Sequence, residues 1–184
     1  MKGIQIVAKL CNFSSEVMND FMSGAGISIL QEIMYLSEEN PKNQIECFTF
    51  LKHLANKDDK SQITLVEEGF VTQITTTMNA LMYNVKVQES GCEILKKLAY
   101  HGHEEIMMLG GIECISKSMI VYPESVEFIR SALSLIHILV RVDASYGDLL
   151  SSNICDYDLK EYLKKQASLH PEMRAMVSNI LQKM

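Results

Sequence analysis

The sequence predicts an all-α protein built from a repeated unit of three helices. Segment 87–99 (VQESGCEILKKLA) matches segment 43–55 (NQIECFTFLKHLA) position for position, and segment 128–140 matches both more loosely. A shift of 41 residues places Gly69 on Gly110 and Val71 on Ile112, and a shift of 44 places Ile27 on Val71. Self-similarity at a period of about 40 residues is typical of helical repeats that stack on their neighbours.

Each unit is expected to contain a short helix, a glycine break, a second helix and a third helix. The first unit is divided into 16–22, a break at 23–26, 27–36, and 43–55 after Asn40-Pro41. The second is divided into a loop at 56–61, then 62–68 ending at Gly69, 70–82 and 87–99. The third is divided into a loop at 100–103, then 104–109, Gly110-Gly111, 112–121, and a helix from Tyr122-Pro123-Glu124 to about 141. Glycines after the short helices, at 24–26 and 110–111, predict left-handed caps.

Partial units are expected at both ends of the chain. Residues 1–11 align with the end of a third helix, and the pattern weakens after Asp143, giving helices at 146–152, 157–169 and 173–184. The single domain 1–184 thus contains full repeats at 16–56, 60–100 and 103–143, and a degenerate or truncated repeat at 146–184. Stacked repeats need polar caps for solubility. Uncapped ends would favour homodimerisation, end-to-end stacking or continuation into a larger protein.

Composition excludes several classes of function. The net charge of −6 disfavours nucleic acid and anionic membranes as partners, because both require a basic surface. No run of 18 apolar residues is present to span a membrane. The five cysteines are odd in number and mostly lie in helical patterns, which indicates buried thiols in a reducing compartment. The cytoplasm is therefore expected, and the nucleus stays open.

Two motifs resemble the signatures of armadillo repeats. They are Gly110-Gly111-Ile112-Glu113 with Ile115, Met119 and Tyr122-Pro123 beyond, and the run 87–99. The resemblance spans essentially the whole chain and is best between 26 and 140. It implies a right-handed α-solenoid of three-helix repeats, without enzymatic activity, whose third helices line a concave groove for extended peptides or protein surfaces. HEAT repeats, the nearest alternative, use two helices per unit and have no short glycine-ended helix.

The groove positions depart from those of armadillo proteins that bind nuclear-import signals. In that group the third helices carry tryptophan and asparagine four residues apart. Here the tryptophan positions are occupied by Gln5, Thr49, Glu93, Ser134 and Asn179, and the asparagine positions by Lys9, His53, Lys97, Ile138 and Lys183. The chain contains no tryptophan. The preference for import signals therefore does not transfer to this protein.

A broken basic stripe remains on the predicted groove, and it would attract an acidic extended partner. Glu89 and Glu93 lie on the same face and would weaken that attraction, and a solvated helix face without a partner stays an open alternative. The predicted groove residues are Lys9, Thr49, Lys52, His53, Glu89, Glu93, Lys96, Lys97, Arg130, Ser134, Asn179 and Lys183.

Candidates for catalysis and metal binding are weak. His101-Gly102-His103-Glu104-Glu105 holds metal-binding residue types, but it falls in a predicted inter-repeat loop and has no second cluster. Cys92 and Cys114 have no neighbouring basic residue to lower the pKa of the thiol. We therefore expect no cofactor, no metal and no enzymatic activity. The leading hypothesis is a protein-binding scaffold, and the alternative is a structural segment of a larger armadillo protein that acts through stacking.

Overall fold

The computed structural model describes residues 14–151 and 159–184, and these residues form helices without any strand. Residues 1–11, predicted as a trailing helix, lie outside the described part, together with Cys11 and Cys155. The eleven α-helices within the described residues are α1 (Ser15–Ser23), α2 (Gly26–Leu36), α3 (Pro41–Ala55), α4 (Asp59–Glu67), α5 (Phe70–Ala80), α6 (Val85–Met108), α7 (Gly111–Val121), α8 (Val126–Val142), α9 (Ser145–Ser151), α10 (Leu159–Leu169) and α11 (Arg174–Leu181). A 3₁₀ turn, Pro171–Met173, precedes α11.

The helices begin and end at residues suited to those positions. Asn40 caps α3 and Asn84 caps α6: each side chain accepts a hydrogen bond from the amide three residues ahead, at 3.1 and 3.2 Å. Gly69 and Gly110 precede α5 and α7 with φ of 77° and 69°, a left-handed conformation that glycine adopts without penalty. The left-handed glycine predicted at 110–111 is confirmed, and Gly69 adopts the same conformation. At Gly24 the prediction is wrong, because φ is −110°.

The predicted apolar positions form one continuous core. On α2, α5 and α7 the aligned residues are all buried: Ile27, Leu30 and Met34; Val71, Ile74 and Met78; Ile112, Ile115 and Met119. On α3, α6 and α8 the aligned Leu51, Leu95 and Ile136 are fully buried as well. Burying apolar side chains along successive helices is the main favourable term that holds such a stack together.

A small residue allows α6 to approach α5 closely. A Cβ atom built on Gly91 would collide with the side chain of Met78. Cys47 and Ala132 occupy the aligned position on α3 and α8, and both are completely buried. The close approach of α6 to α5 therefore requires a residue without a side chain at Gly91.

One hydrogen bond recurs between a buried side chain and the last turn of a second helix. Gln44 on α3 donates to the carbonyl oxygen of Met34 at 2.7 Å, and Gln88 on α6 donates to that of Met78 at 2.7 Å. Carbonyls in the last turn of a helix have no partner within the helix. The equivalent carbonyl of α7, at Met119, accepts from the hydroxyl of Tyr162 at 3.0 Å. In this third case the donor for the last-turn carbonyl comes from α10.

The predicted loop at 100–103 is wrong except at Gly102, where α6 is kinked. Two helical segments meet at this residue, whose φ of −116° and ψ of 17° are not helical, and the second segment ends at Met108. A Cβ on Gly102 would lie 2.9 Å from Val71 and 3.2 Å from Val66, so the glycine makes a close contact with the neighbouring helices. The backbone bends at this contact instead of leaving the helix.

Candidate functional site

The candidate site is the outward side of α3, α6, α8 and α11, which we call the third-helix surface. Helix α3 packs on α6, α6 on α8, and α8 on α11, so the predicted groove residues of these helices lie on successive neighbours. Lys9 lies outside the described residues. The structure brings together Thr49, Lys52, His53, Glu89, Glu93, Lys96, Lys97, Arg130, Ser134 and Asn179 on four adjacent helices, with Lys183 just after α11.

Glu93 joins α6 to its neighbours at the centre of this surface. Its carboxylate pairs with Lys96 on the same helix and accepts a hydrogen bond from Ser131 Oγ on α8 at 2.8 Å. Burial alone would raise the pKa of this carboxyl. The hydrogen bonds from Lys96 and Ser131 and the charges of Lys96 and Lys52 outweigh burial and lower the pKa. Glu93 is therefore ionised at neutral pH, and it offsets part of the positive charge around it.

Of the other charged residues of α6 on this surface, one forms an ion pair and one does not. Glu89 forms an ion pair with Lys86 at 2.8 Å. Lys97 is exposed and makes no ion pair or hydrogen bond within the described residues. The carboxylates thus neutralise Lys86 and Lys96, whereas Lys97 keeps its charge available to a partner.

Helix α3 contributes the first edge of the surface. Thr49 is exposed, and its hydroxyl donates to the carbonyl oxygen of Ile45 at 2.8 Å. Lys52 is half-buried and His53 is exposed, both in the last turn of the helix. Positive charge in a last turn interacts favourably with the helix dipole.

Helix α8 and the C-terminal region contribute the opposite edge. The Arg130 guanidinium lies 3.6 Å from the Glu172 carboxylate, and Ser134 Oγ donates to the carbonyl oxygen of Arg130 at 2.7 Å. Asn179 on α11 lies 3.4 Å from His137 Nε2 on α8. Burial, together with the charge of Arg141, lowers the pKa of His137, so this imidazole is largely neutral at pH 7. Cross-helix polar contacts thus connect α8 both to the 3₁₀ turn and to α11.

Charge is distributed unevenly between the third helices and the remainder. Residues 41–55, the part of α6 before the kink at Gly102 (85–101), 126–142 and 174–184 contain nine lysines and arginines and four carboxylate residues. The rest of the described chain contains six basic and seventeen acidic residues. The overall charge of −6 therefore hides a basic third-helix surface and an acidic remainder. Counting charge along the repeat, unit by unit, would have found this asymmetry in the sequence.

Buried glutamines were missed in the sequence analysis. Gln44 and Gln88 occupy the same repeat position, and both are fully buried. Gln88 Oε1 also accepts from Ser118 Oγ at 3.1 Å, which connects α6 to α7. The sequence contained a signal for these residues: a glutamine occupies the same repeat position in two units, on the apolar side of the helix. These residues hold the third helices in place and do not face a partner.

The histidine cluster at 101–105 does not assemble into a metal centre. His103 Nδ1 lies 2.8 Å from the Tyr146 hydroxyl, and Thr72 Oγ1 donates to Glu105 at 2.5 Å. His101 is exposed on the last helical turn before Gly102. In the described ranges 14–151 and 159–184, no three histidine, cysteine or carboxylate residues lie close enough to hold a metal.

The described cysteines behave as buried apolar residues. Cys47, Cys92 and Cys114 are buried free thiols. Burial raises the pKa of Cys47 to about 12 and that of Cys114 to about 11, and it raises the pKa of Cys92 as well. A thiol needs its thiolate form to act as a nucleophile. Burial thus holds these three thiols in the protonated form at neutral pH, which disfavours a nucleophilic role.

Comparison with known proteins gives no relative: no protein-family model, curated protein or solved structure matches the chain. Within the part of the chain that the structure describes, none of the helices combines the length and apolar character of a membrane span.

Proposed function

We propose that this protein is an armadillo-like α-solenoid without catalytic activity, and that its third-helix surface binds an extended, acidic segment of a partner protein. The observation that carries the proposal is the positive charge of four third helices that pack on one another in chain order. Repeats that contact only their neighbours produce a long continuous surface, which suits an extended ligand. The buried, unpaired thiols of Cys47, Cys92 and Cys114 are consistent with a reducing compartment such as the cytoplasm.

The armadillo architecture is supported by repeated geometry. Left-handed glycines precede α5 and α7, and asparagine caps begin α3 and α6. Buried side chains bond the last-turn carbonyls of α2, α5 and α7 at equivalent positions. A short helix, a second helix and a third helix follow one another three times between 15 and 142, although α6 continues directly into the short helix of the next unit.

The charge of the surface sets the chemistry of the partner. Lys97 and Lys183 are exposed, and Arg130 forms a solvent-exposed ion pair with Glu172 at 3.6 Å, which contributes little stability. An acidic segment along α6, α8 and α11 would meet these cations first, which favours fast association. Glu93 lies in the middle and would repel such a segment unless Lys96 and Ser131 stay bonded to it. Specificity would therefore depend on how the partner's acidic residues are spaced around Glu93.

The test is binding of a short fluorescent peptide of alternating glutamate and serine, measured by anisotropy at an ionic strength of about 0.15 M, where the Debye length is about 8 Å. In the double variant Lys97→Glu/Lys183→Glu we expect affinity to fall roughly tenfold, since each exposed charge contributes modestly. The matched control is Lys60→Glu/Lys164→Glu, which changes net charge equally on exposed residues outside the third helices. It should change affinity by less than roughly twofold, because screening limits distant charges.

A third variant tests the role of the central carboxylate. Glu93→Gln removes a negative charge and releases Lys96, so peptide affinity should rise severalfold. Circular dichroism and melting of each variant verify that the fold is unchanged. Equal losses in the Lys97/Lys183 and Lys60/Lys164 variants, or no binding by the wild type, would contradict the proposal.

A further inference from the structure

A second candidate surface lies between α2 and α5, away from the third helices. An open groove of about 520 Å³ separates these two helices. One wall includes Glu32 and Tyr35 of α2 and Glu38 just after this helix, and the other wall includes Thr76 and Ala80 of α5. The groove is thus formed by the second helices of the first two repeats.

Hydrogen bonds hold the two walls at a fixed separation. Gln73 Nε2 on α5 donates to the carbonyl oxygen of Gln31 on α2 at 2.9 Å. Gln31 Nε2 donates in turn to the carbonyl oxygen of Glu68, which precedes α5, at 2.5 Å. Both glutamines line the groove. A groove whose walls are bonded together at one end is present before any ligand arrives, so binding needs little reorganisation.

The walls carry negative charge without basic residues. Residues 14–41 and 61–85 contain seven carboxylate residues and no lysine or arginine. Glu32 and Glu38 are exposed at the groove and form no ion pair within the described residues. Uncompensated carboxylates along a groove favour a cationic ligand and repel an anionic one.

Tyr35 supplies a second feature that fits a cation. Its side chain lies at the groove and is 70% exposed. An aromatic face attracts guanidinium and ammonium groups, arginine most often. The exposed Ala80 adds apolar surface on which the aliphatic stem of such a residue can pack. An arginine side chain therefore finds apolar surface, an aromatic ring and two carboxylates together.

We propose that the α2/α5 groove binds a basic segment of a partner protein, with an arginine or lysine side chain seated between Tyr35, Glu32 and Glu38. This proposal is independent of the acidic segment on the third-helix surface, because the charge and the helices differ. A protein with both surfaces would connect an acidic partner to a basic one.

The experiment measures anisotropy of a short fluorescent peptide of alternating arginine and serine at an ionic strength of about 0.15 M, where the Debye length is about 8 Å. The double variant Glu32→Gln/Glu38→Gln should bind the peptide roughly tenfold more weakly than the wild type. The variant Tyr35→Ala keeps the charge and should weaken binding roughly threefold. The matched control, Glu104→Gln/Asp148→Asn, removes the same charge from exposed positions outside the groove and should stay within roughly twofold of the wild type.

Several outcomes would overturn this proposal. The first is that the wild type does not bind the arginine peptide. The second is that the control Glu104→Gln/Asp148→Asn weakens binding as much as Glu32→Gln/Glu38→Gln does. The third is that neither Tyr35→Ala nor Glu32→Gln/Glu38→Gln changes binding. Sedimentation velocity tests a second copy of the chain as occupant. Self-association that disappears in the Glu32→Gln/Glu38→Gln variant would assign the groove to a second copy and reject the basic partner. The Lys97→Glu/Lys183→Glu variant should bind the arginine peptide no more weakly than the wild type, which separates this test from that of the third-helix surface.

Discussion

Replacement of Gln88 by leucine should destabilise the protein substantially more than the same change at Gln44. Gln88 donates to the carbonyl oxygens of Met78 at 2.7 Å and Leu81 at 3.3 Å, and it accepts from Ser118 Oγ at 3.1 Å. The carbonyl of Leu81 keeps a second partner, the amide of Asn84 at 2.9 Å. The variant Gln88→Leu therefore leaves the Met78 carbonyl without its side-chain donor and breaks the bond to Ser118.

The magnitude follows from those losses. An unsatisfied buried carbonyl costs about 1–3 kcal/mol and a lost neutral hydrogen bond about 1 kcal/mol, so Gln88→Leu should lower the free energy of unfolding by about 2–4 kcal/mol. Gln44 bonds the carbonyls of Met34 and Ser37, but its own Oε1 is buried without a hydrogen-bond partner. Removing that unsatisfied oxygen offsets part of the loss, so Gln44→Leu should cost at least about 1 kcal/mol less.

The assay is urea unfolding followed by circular dichroism, with the slope of the transition compared between variants. Ser118→Ala should lower stability in the wild type and have little further effect in Gln88→Leu, because the two residues share one bond. Equal losses at Gln44 and Gln88, or a Gln88→Leu variant as stable as the wild type, would refute the reasoning.

Three further predictions follow from other contacts. Gly91→Leu should destabilise the protein by about 1–3 kcal/mol through overpacking against Met78, and Met78→Ala should recover part of the loss in the double variant, as measured by urea unfolding. In a variant with Cys11 and Cys155 replaced by serine, a chromogenic thiol reagent should detect no thiol in the native protein at pH 8 and three thiols in urea. The reason is that burial raises the pKa of Cys47 to about 12 and of Cys114 to about 11. Rapid labelling of the native protein would contradict this. The Ser61 side chain and amide lower the pKa of Asp58 below its unfolded value, so its stabilising effect is present above the unfolded pKa and is lost as pH falls through the folded pKa. Asp58→Ala should therefore make melting temperature less sensitive to pH on the acid side, and an unchanged pH profile would argue against that contribution.

Much of the helix layout could be predicted because local chemistry determines it. Asn40-Pro41 begins α3, and the glycines at 69 and 110 separate α4 from α5 and α6 from α7. Apolar residues at helical spacing predicted the buried faces of α2, α5 and α7, since that period places them on one side. The boundaries differ by a few residues: α3 begins at Pro41 instead of 43, α4 at Asp59 instead of 62, and α6 at Val85 instead of 87.

The errors come from contacts between distant residues. The stretch 100–103 has the polar, glycine-containing composition of a loop, yet Val66 and Val71 pack against Gly102 and the helix continues around it. Likewise, repeat alignment placed Glu93 and Lys96 on the predicted groove. It did not reveal that Ser131 on α8 bonds Glu93. Such pairings depend on the separation and rotation of two helices, which the sequence pattern of either helix does not specify.

The positions of the charges separate those that stabilise helices from those that are free for partners. Lys52 and Arg141 lie in last turns, where the helix dipole favours positive charge, so their presence needs no partner. Lys97 lies five residues before the kink at Gly102, outside the last turn of that helical segment, and it has no described ion pair. Glu32 lies in the interior of α2, outside its last turn, and it has no described ion pair either. The residues that helix stability explains least are thus Lys97 on the third-helix surface and Glu32 at the α2/α5 groove. Substitutions at these two positions should leave melting nearly unchanged, and they are therefore the cleanest probes of binding.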